Sequence, residues 1–383
     1  MDIIGGLKRR LTQERQIRAV LKARKRILES DPQFDLTRIC LKDHFDASDD
    51  TAILERIVKA YQAAKRDEKD ALATYKVGNE WLPIYRLKLG PVMDALSKGD
   101  ISTLSRMYKN FYRDPCSTGL VGLQITTDKY LRLRPRRLYK LLFASDALHR
   151  FNLWRELTQG KYPVSALSAP TAGNPFGYNI NGTFVSSGAD YQHFYGHKIR
   201  SLIQSGTVIE LGGGFGGLAY FLLRDTPQIN YVDFDLPETA ALASYYLLKA
   251  FPNERITLYG EMEFLAESLL QSRVWILPAF ELLKMANNST ELAFNSYSLA
   301  EMSPEAIKEY VAQLTRISRK YLLHVNHNKN SVKAADDFGI EAHGFRLADR
   351  QPARWNDGRM LDADEYEYLY TKELDPTYCT AAT

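Results

Sequence analysis

The sequence predicts an α/β fold: an open, mostly parallel, doubly wound sheet preceded by a helical domain. Three observations predict it. From Thr207 onward, short β-branched runs alternate with helical stretches, as they do in a sheet covered by helices on both faces. The first of these runs, Thr207–Leu211, leads into five glycines within the six residues Gly212–Gly217. Before residue 120 no alternating strand pattern occurs, and apolar residues recur at helical spacing instead.

A chain of 383 residues exceeds what one core usually organises, so two domains are expected. Residues 1–165 read as a helical N-terminal lid or substrate domain, 166–200 as a Pro/Gly-rich loop with a connecting helix, and 201–383 as the sheet domain. In the first part, Thr51–Ala73, Trp81–Leu96, Ile101–Tyr112 and Arg136–Leu157 carry helical periodicity. Lys98-Gly99-Asp100 supplies a turn, and Gly90-Pro91 is expected to break the second helix. Ser165–Gly188, dense in Pro, Gly, Ser and Asn, reads as a linker or functional lid, followed by a helix over Asp190–Ile203.

The expected strands are Thr207–Leu211, Ile229–Phe234, Arg255–Tyr259, Val274–Leu277, Leu292–Asn295 and Tyr321–Val325. The clearest helix between them is Pro304–Lys320, with Ser303 as its cap, Pro304 in its first turn and a buried stripe of Ile307, Tyr310, Val311, Leu314 and Ile317. Gly344–Leu347 and Tyr366–Tyr370 can close the sheet with an antiparallel hairpin.

Composition is that of a soluble globular chain, at 45% hydrophobic and 25% charged residues. A net charge of +4 predicts no nucleic-acid role. The first thirty residues nevertheless hold nine Lys or Arg against three acids, and read as an amphipathic helix, either packed on the body with a solvated basic face or docking to a membrane surface or a partner. No apolar run reaches membrane-spanning length, so stable membrane insertion is not expected. Cys40, Cys116 and Cys379 are too scattered for a zinc site or a disulfide framework. With no secretory signal in the opening residues, a cytoplasmic location without bound metal is the expectation.

A glycine-dense turn between strand and helix lets backbone approach a ligand closely, which points to a nucleotide-like cofactor. Gly212-x-Gly214-x-x-Gly217 fits the dinucleotide fingerprint, and Gly212-x-Gly214-x-Gly216 fits the S-adenosylmethionine one. Glu210 weighs toward the second, because a carboxylate there repels a pyrophosphate but suits an ammonium and a sulfonium. In Tyr231–Pro237 a carboxylate at the strand end can accept both ribose hydroxyls. Asp235 is preferred over Asp233 on the same face because it lies nearer the open end, with Leu236 beside it. After the third strand, Glu261 and Met262 offer a polar group for the adenine amine and a soft side chain for its ring.

Val208–Gly217, Phe234-Asp-Leu-Pro237 and Gly260-Glu-Met262 resemble three successive cofactor motifs of class I S-adenosylmethionine-dependent O-methyltransferases. Asn295-Ser-Tyr-Ser-Leu-Ala-Glu-Met302, Asn110-Phe-Tyr-Arg113, Gly119-Leu120 and Gly173-Asn-Pro175 resemble the bacterial putative sugar O-methyltransferase family. The resemblance implies a Rossmann-like class I methyltransferase sheet and S-adenosyl-L-methionine as cofactor. It implies cofactor contacts from Glu210, Gly212, Gly214, Phe215, Gly216, Asp235, Leu236, Glu261, Met262, Asn295 and Ser296. Glu261 stands where many relatives have Asp.

Methyl transfer to a hydroxyl needs alignment, exclusion of water and a base. Asn295, Ser296, Tyr297 and Glu301 follow the fifth strand of the list, and Asn326 and His327 the sixth, so all fall at the carboxyl ends where such sheets bind ligands. His193 and His197 share a helical face, with Tyr178 in the loop before them. His193 or Glu301 is the expected base, with Asn295 and Tyr178 as polar groups at the acceptor, and His324 reads as a core residue. The leading function is O-methyl transfer to a sugar or polyol in polysaccharide or natural-product biosynthesis. The alternatives are a cyclase forming azetidine-2-carboxylate and 5′-methylthioadenosine, an NAD-dependent dehydrogenase, and a non-catalytic nucleotide-binding module.

Overall fold

The computed structural model describes residues 12, 14–23, 39–78, 81–121, 137–329 and 331–372. The chain divides into two compact units. One comprises Met1–Asp46, Lys109–Tyr195 and Arg354–Ala363, and the other Ala47–Tyr108, Gly196–Ala353 and Asp364–Thr383. Residues 47–108, which the sequence groups with the helices before 165, therefore belong to the unit that carries the large sheet.

The first unit contains a three-stranded antiparallel sheet of β1 (Ile39–Cys40), β2 (Gly177–Ile180) and β3 (Thr183–Ser186). Strand β1 is only two residues long, too short to leave a pattern in the sequence. The hairpin β2–β3 takes up the second half of the loop expected over 165–188, and residues 168–176 before it are irregular as expected. Asn181 (φ +50°) and Gly182 (φ +80°) form its two-residue turn, which needs positive φ at both positions and was signalled by the Asn-Gly pair. Of the basic N-terminal segment, residues 12 and 14–23 are helical, with Ile17 and Val20 buried; the rest lies outside the described residues.

The second unit begins with α1 (Thr51–Asp67), then α2 (Gly90–Lys98) and α3 (Ile101–Tyr108). Pro91 does not break the chain there. It occupies the first turn of α2, where no donor is missed, and a π-helical turn, Tyr85–Leu89, runs straight into it. The first unit contributes α4 (Arg137–Leu157). Helix α5 (Ala189–Leu202) leads into β4 (Gly206–Leu211), α6 (Gly217–Asp225), β5 (Ile229–Asp235) and α7 (Pro237–Ala250). Then come β6 (Ile256–Leu258), β7 (Val274–Pro278), β8 (Thr290–Ser296), α8 (Pro304–Ile317), β9 (Ser318–His327), β10 (Phe345–Pro352) and β11 (Glu365–Lys372).

All six expected strands are present, within an eight-stranded sheet of order β10-β11-β9-β8-β4-β5-β7-β6. Strands β4 to β9 pair in parallel, while β10 and β11 form the antiparallel hairpin at one edge. This is the Rossmann-like, doubly wound sheet with an antiparallel end that distinguishes class I methyltransferases from nicotinamide domains. Parallel strands are covered on both faces, which explains why β4 and β7 read as nearly unbroken apolar runs and are buried almost throughout. Helix α8 buries the expected stripe, and Ser303 caps it by accepting the Ala306 N–H at 3.2 Å. The chain reverses winding between β4, which pairs with both β5 and β8, so the carboxyl ends of these strands form the crevice for a ligand. Among the described residues no helix is long and apolar enough to cross a membrane.

Candidate functional site

Strand β4 ends at Leu211, and the glycine turn follows with φ of +78° at Gly212, +63° at Gly214 and +87° at Gly216. Side chains rarely adopt these angles. Space imposes a second demand: a Cβ on Gly212 would lie 2.5 Å from Ser298 Oγ, and one on Gly213 2.6 Å from Asp233 Oδ1. Phe215 turns its ring edge-on to Tyr246 at 5.1 Å and is buried, so its side chain belongs to the packing of α7 and its backbone alone is left for a ligand.

Three buried carboxyl groups surround this turn. Glu210 pairs in register with Asp233 on β5 and accepts the hydroxyl hydrogen of Tyr231. Asp233 Oδ1 accepts the Gly213 N–H at 3.2 Å, while its buried Oδ2 has no hydrogen-bond partner. Asp235 accepts the Gly214 N–H at 3.1 Å on one oxygen and the Leu236 N–H at 2.7 Å on the other. The period of two along β5 puts Tyr231, Asp233 and Asp235 on one face. Burial pushes the Glu210 carboxyl up to about 7, with Asp235 adding repulsion and the Tyr231 hydroxyl pulling the other way. Burial likewise raises Asp235 to about 7, against the two backbone bonds it accepts. Asp233 is raised well above the carboxylate range, by burial first and then by Asp235 and Glu210.

Asn295, near the end of β8, has both amide hydrogens and one lone pair of its oxygen engaged. Its Nδ2 donates to Leu211 O at 2.9 Å and to Ser298 Oγ at 2.6 Å, and its Oδ1 accepts from Asn326 Nδ2 at 2.9 Å. Asn326 Oδ1 in turn accepts the Ala300 N–H at 3.1 Å. Asn295 and Asn326 are both buried. The pair ties the glycine turn after β4 to the loop after β8, with both amide hydrogens of Asn295 engaged in that link. Ser296 is the last residue of β8, at the strand's carboxyl end. His324, buried and stacked on Tyr368 at 4.5 Å, is held neutral by burial, which lowers it to about 3; it is the core residue expected.

The third motif is differently used. Glu261 makes a bidentate pair with Arg56 at 2.7 and 2.9 Å and also accepts the Leu258 N–H at 2.9 Å. Its carboxyl stays below the usual range, the Arg56 and Leu258 bonds outweighing burial. Met262 packs on the core beside Tyr259. Glu238 in the first turn of α7 was not singled out in the sequence. It is buried, and it accepts from Tyr61 at 3.2 Å and Tyr85 at 2.8 Å, with Lys65 Nζ at 3.1 Å. These contacts anchor α1 and the π-helical turn beside Asp235. Glu301 accepts the Trp81 indole N–H at 2.7 Å.

His193 and Tyr178 lie in the first unit. His193 is buried, and its Nδ1 accepts the Trp154 indole N–H at 3.0 Å. That bond leaves the neutral ring's proton on Nε2, so taking a further proton at Nδ1 would cost the indole bond. Tyr178 donates to Asp190 Oδ2 at 3.3 Å; both are buried, and burial raises both groups. Arg113 and Asn174, from two of the motifs noted above, are structural in the same unit. The Arg113 guanidinium binds the carbonyls of Asn174, Lys42 and Pro175, and Asn174 Nδ2 bonds Asp43 and Asn110.

No family model matches the chain, and no curated protein matches it. Solved structures do. Magnesium protoporphyrin IX methyltransferase from Synechocystis, with bound S-adenosylmethionine, is 12% identical over 58% of this chain and 91% of its own, with a TM-score of 0.32. An S-adenosylmethionine-dependent methyltransferase from Aquifex aeolicus is 15% identical over 46% of this chain and 89% of its own, at 0.33. A TehB-like S-adenosylmethionine-dependent methyltransferase from Corynebacterium glutamicum is 12% identical over 59% and 98%, also at 0.33. Likeness at this level carries no argument about activity, and the fold rests on the strand order itself.

Proposed function

We propose that this chain is an S-adenosylmethionine-dependent enzyme that methylates a hydroxyl of a sugar or polyol in the cytoplasm. One observation carries the reading: a cradle of left-handed glycines is flanked by three buried carboxyl groups, Glu210, Asp233 and Asp235. In their ionised forms Glu210 and Asp235 repel a pyrophosphate and suit a ligand with an ammonium and a sulfonium. Glu210 and the glycine backbone would hold the methionine end, Asp235 the ribose hydroxyls, and Leu236 and Met262 the adenine surroundings. The bound sulfonium would supply an activated methyl group. The protein's own residues have then to orient the acceptor, exclude water and take up its proton. The sugar or polyol acceptor is supported by the likeness of Asn295–Met302 to sugar O-methyltransferases.

The test is to incubate the full chain with S-adenosylmethionine, with and without hexoside acceptors, and identify the nucleoside released. S-adenosylhomocysteine formed only with acceptor supports the proposal. Methylthioadenosine formed without acceptor would replace it with the cyclase reading.

A further inference from the structure

We propose that His327 is the general base that takes the acceptor's hydroxyl proton, with Asp364 and Glu365 orienting its ring. The assignment rests on the methyl-transfer reading above and adds the residue it lacks.

His327 is the last residue of β9 and pairs in register with Glu365 on β11. Strand β9 runs parallel to β8, with Val325 opposite Ser296, so His327 stands on the carboxyl rim that carries Ser296 and Tyr297. Its strand is two neighbours from β4, or roughly 10 Å at ordinary strand spacing. The loop after β8 lies between them, with Ser298 Oγ against Gly212 and the Tyr297 N–H on Val325 O, so the methyl donor's reactive end and the acceptor hydroxyl would sit above that loop, on the outer side of the rim.

The ring is placed by chemistry on one side and packing on the other. Nδ1 lies 3.6 Å from Asp364 Oδ1 and 3.9 Å from Glu365 Oε1. Asp364 is itself fixed, since its second carboxylate oxygen accepts the Lys329 N–H. Tyr297 lies against the imidazole with 5.2 Å between ring centroids. Tyr297 is held at φ +65°, a costly angle for a non-glycine residue, and its N–H donates to Val325 O at 2.8 Å. The strain is thus spent at the strand end on placing this ring beside His327. Among the described residues, the titratable groups facing the imidazole are Asp364 and Glu365 from β11 and its approach, and Tyr297 after β8.

Both carboxylates stand beyond direct hydrogen-bond distance of Nδ1, but their charge favours the tautomer with its N–H on that edge, which leaves the Nε2 lone pair as the basic position. The side chain is 30% exposed, so a substrate can reach it. The other candidates are worse placed. His193 Nδ1 is engaged by Trp154, His324 is buried and stacked, and Glu301 has one carboxylate oxygen held by the Trp81 indole.

In the step, an oxygen lone pair of the acceptor forms the O–C bond as the C–S bond breaks and its electron pair stays on sulfur. The O–H proton passes to His327 Nε2 and later leaves to solvent. The neutral products are the methyl ether and S-adenosylhomocysteine.

The experiment uses the full chain, tritium-labelled S-adenosylmethionine and methyl hexosides (gluco, galacto and manno). His327→Gln should lower kcat by about 100-fold or more, in the range of general-base catalysis, while cofactor affinity stays unchanged. The acidic limb of the pH–rate profile should vanish with it. His327→Ala should regain activity with added imidazole, and Asp364→Asn should lose about 10-fold with the limb shifted. If His327→Gln keeps its kcat and its acidic limb, the assignment is overturned and the methyl-transfer reading survives. If the wild-type chain binds no S-adenosylmethionine, or binds it and methylates no hexoside, the reading itself fails and the assignment with it.

Discussion

Lowering the pH from 8 to 6 should weaken S-adenosylmethionine binding by about a hundredfold. Glu210 and Asp235 are both pushed up to about 7 by burial. A cationic ligand is served by their ionised forms. At pH 6 each carboxyl is only about one-tenth ionised, so deprotonating it for the ligand costs about 1.4 kcal/mol, a factor of ten per group. At pH 8 that cost nearly disappears. Calorimetric titration in buffers of different ionisation enthalpy measures both the affinity and the protons released. Two protons should leave at pH 6 and almost none at pH 8. The apo protein should move the opposite way. A carboxyl whose folded pKa is raised stabilises the fold fully below its unfolded value near 4 and loses that contribution as pH rises through 7. For Glu210 the loss is roughly 3 kcal/mol. Affinity that is flat between pH 6 and 8, with no proton exchange, would refute the carboxylate-cradle argument.

Other perturbations bear on separate parts of the account. Asn326→Leu strands the Asn295 carbonyl and the Ala300 N–H in the core, and should cost about 3 kcal/mol in urea unfolding and weaken cofactor binding; a loss below about 1 kcal/mol would mean the asparagine pair does not position the loops. Glu210→Gln should weaken S-adenosylmethionine at least about tenfold at pH 8, whereas Glu261→Gln should change it less than about threefold, because Arg56 and Leu258 already occupy that carboxylate. Equal effects would return Glu261 to the ligand. If the segment 165–188 covers a bound cofactor, its limited proteolysis should slow when S-adenosylmethionine is added, and unchanged cleavage speaks against that role.

The sheet was legible because its signals are local. Strands such as β4 and β7 are short, largely apolar runs, the glycine turn marks the first crossover, and Ser303-Pro304 announces α8 in two residues. The hairpin at Asn181-Gly182 carried an equally local signal but was masked by the Pro/Gly-rich composition around it. At the site, the period of two along β5 separated Asp233 and Asp235 from the apolar face, and the strand end favoured Asp235. What the sequence could not disclose is long-range. Nothing near Asn295 says that Asn326, on another strand, consumes its carbonyl oxygen, and nothing near His193 says that Trp154 occupies its nitrogen. Glu261 reads as a free carboxylate until Arg56, some two hundred residues earlier, is folded against it.

The central claim is that the turn at Gly212–Gly217, with Glu210 and Asp235 beside it, grips a sulfonium nucleoside. Calorimetry of the full chain at pH 8 against S-adenosylmethionine and NAD tests it most directly. The account predicts saturable one-to-one binding of S-adenosylmethionine, abolished in Glu210→Gln/Asp235→Asn, and no heat from NAD. Saturable NAD binding with silence toward S-adenosylmethionine would contradict it.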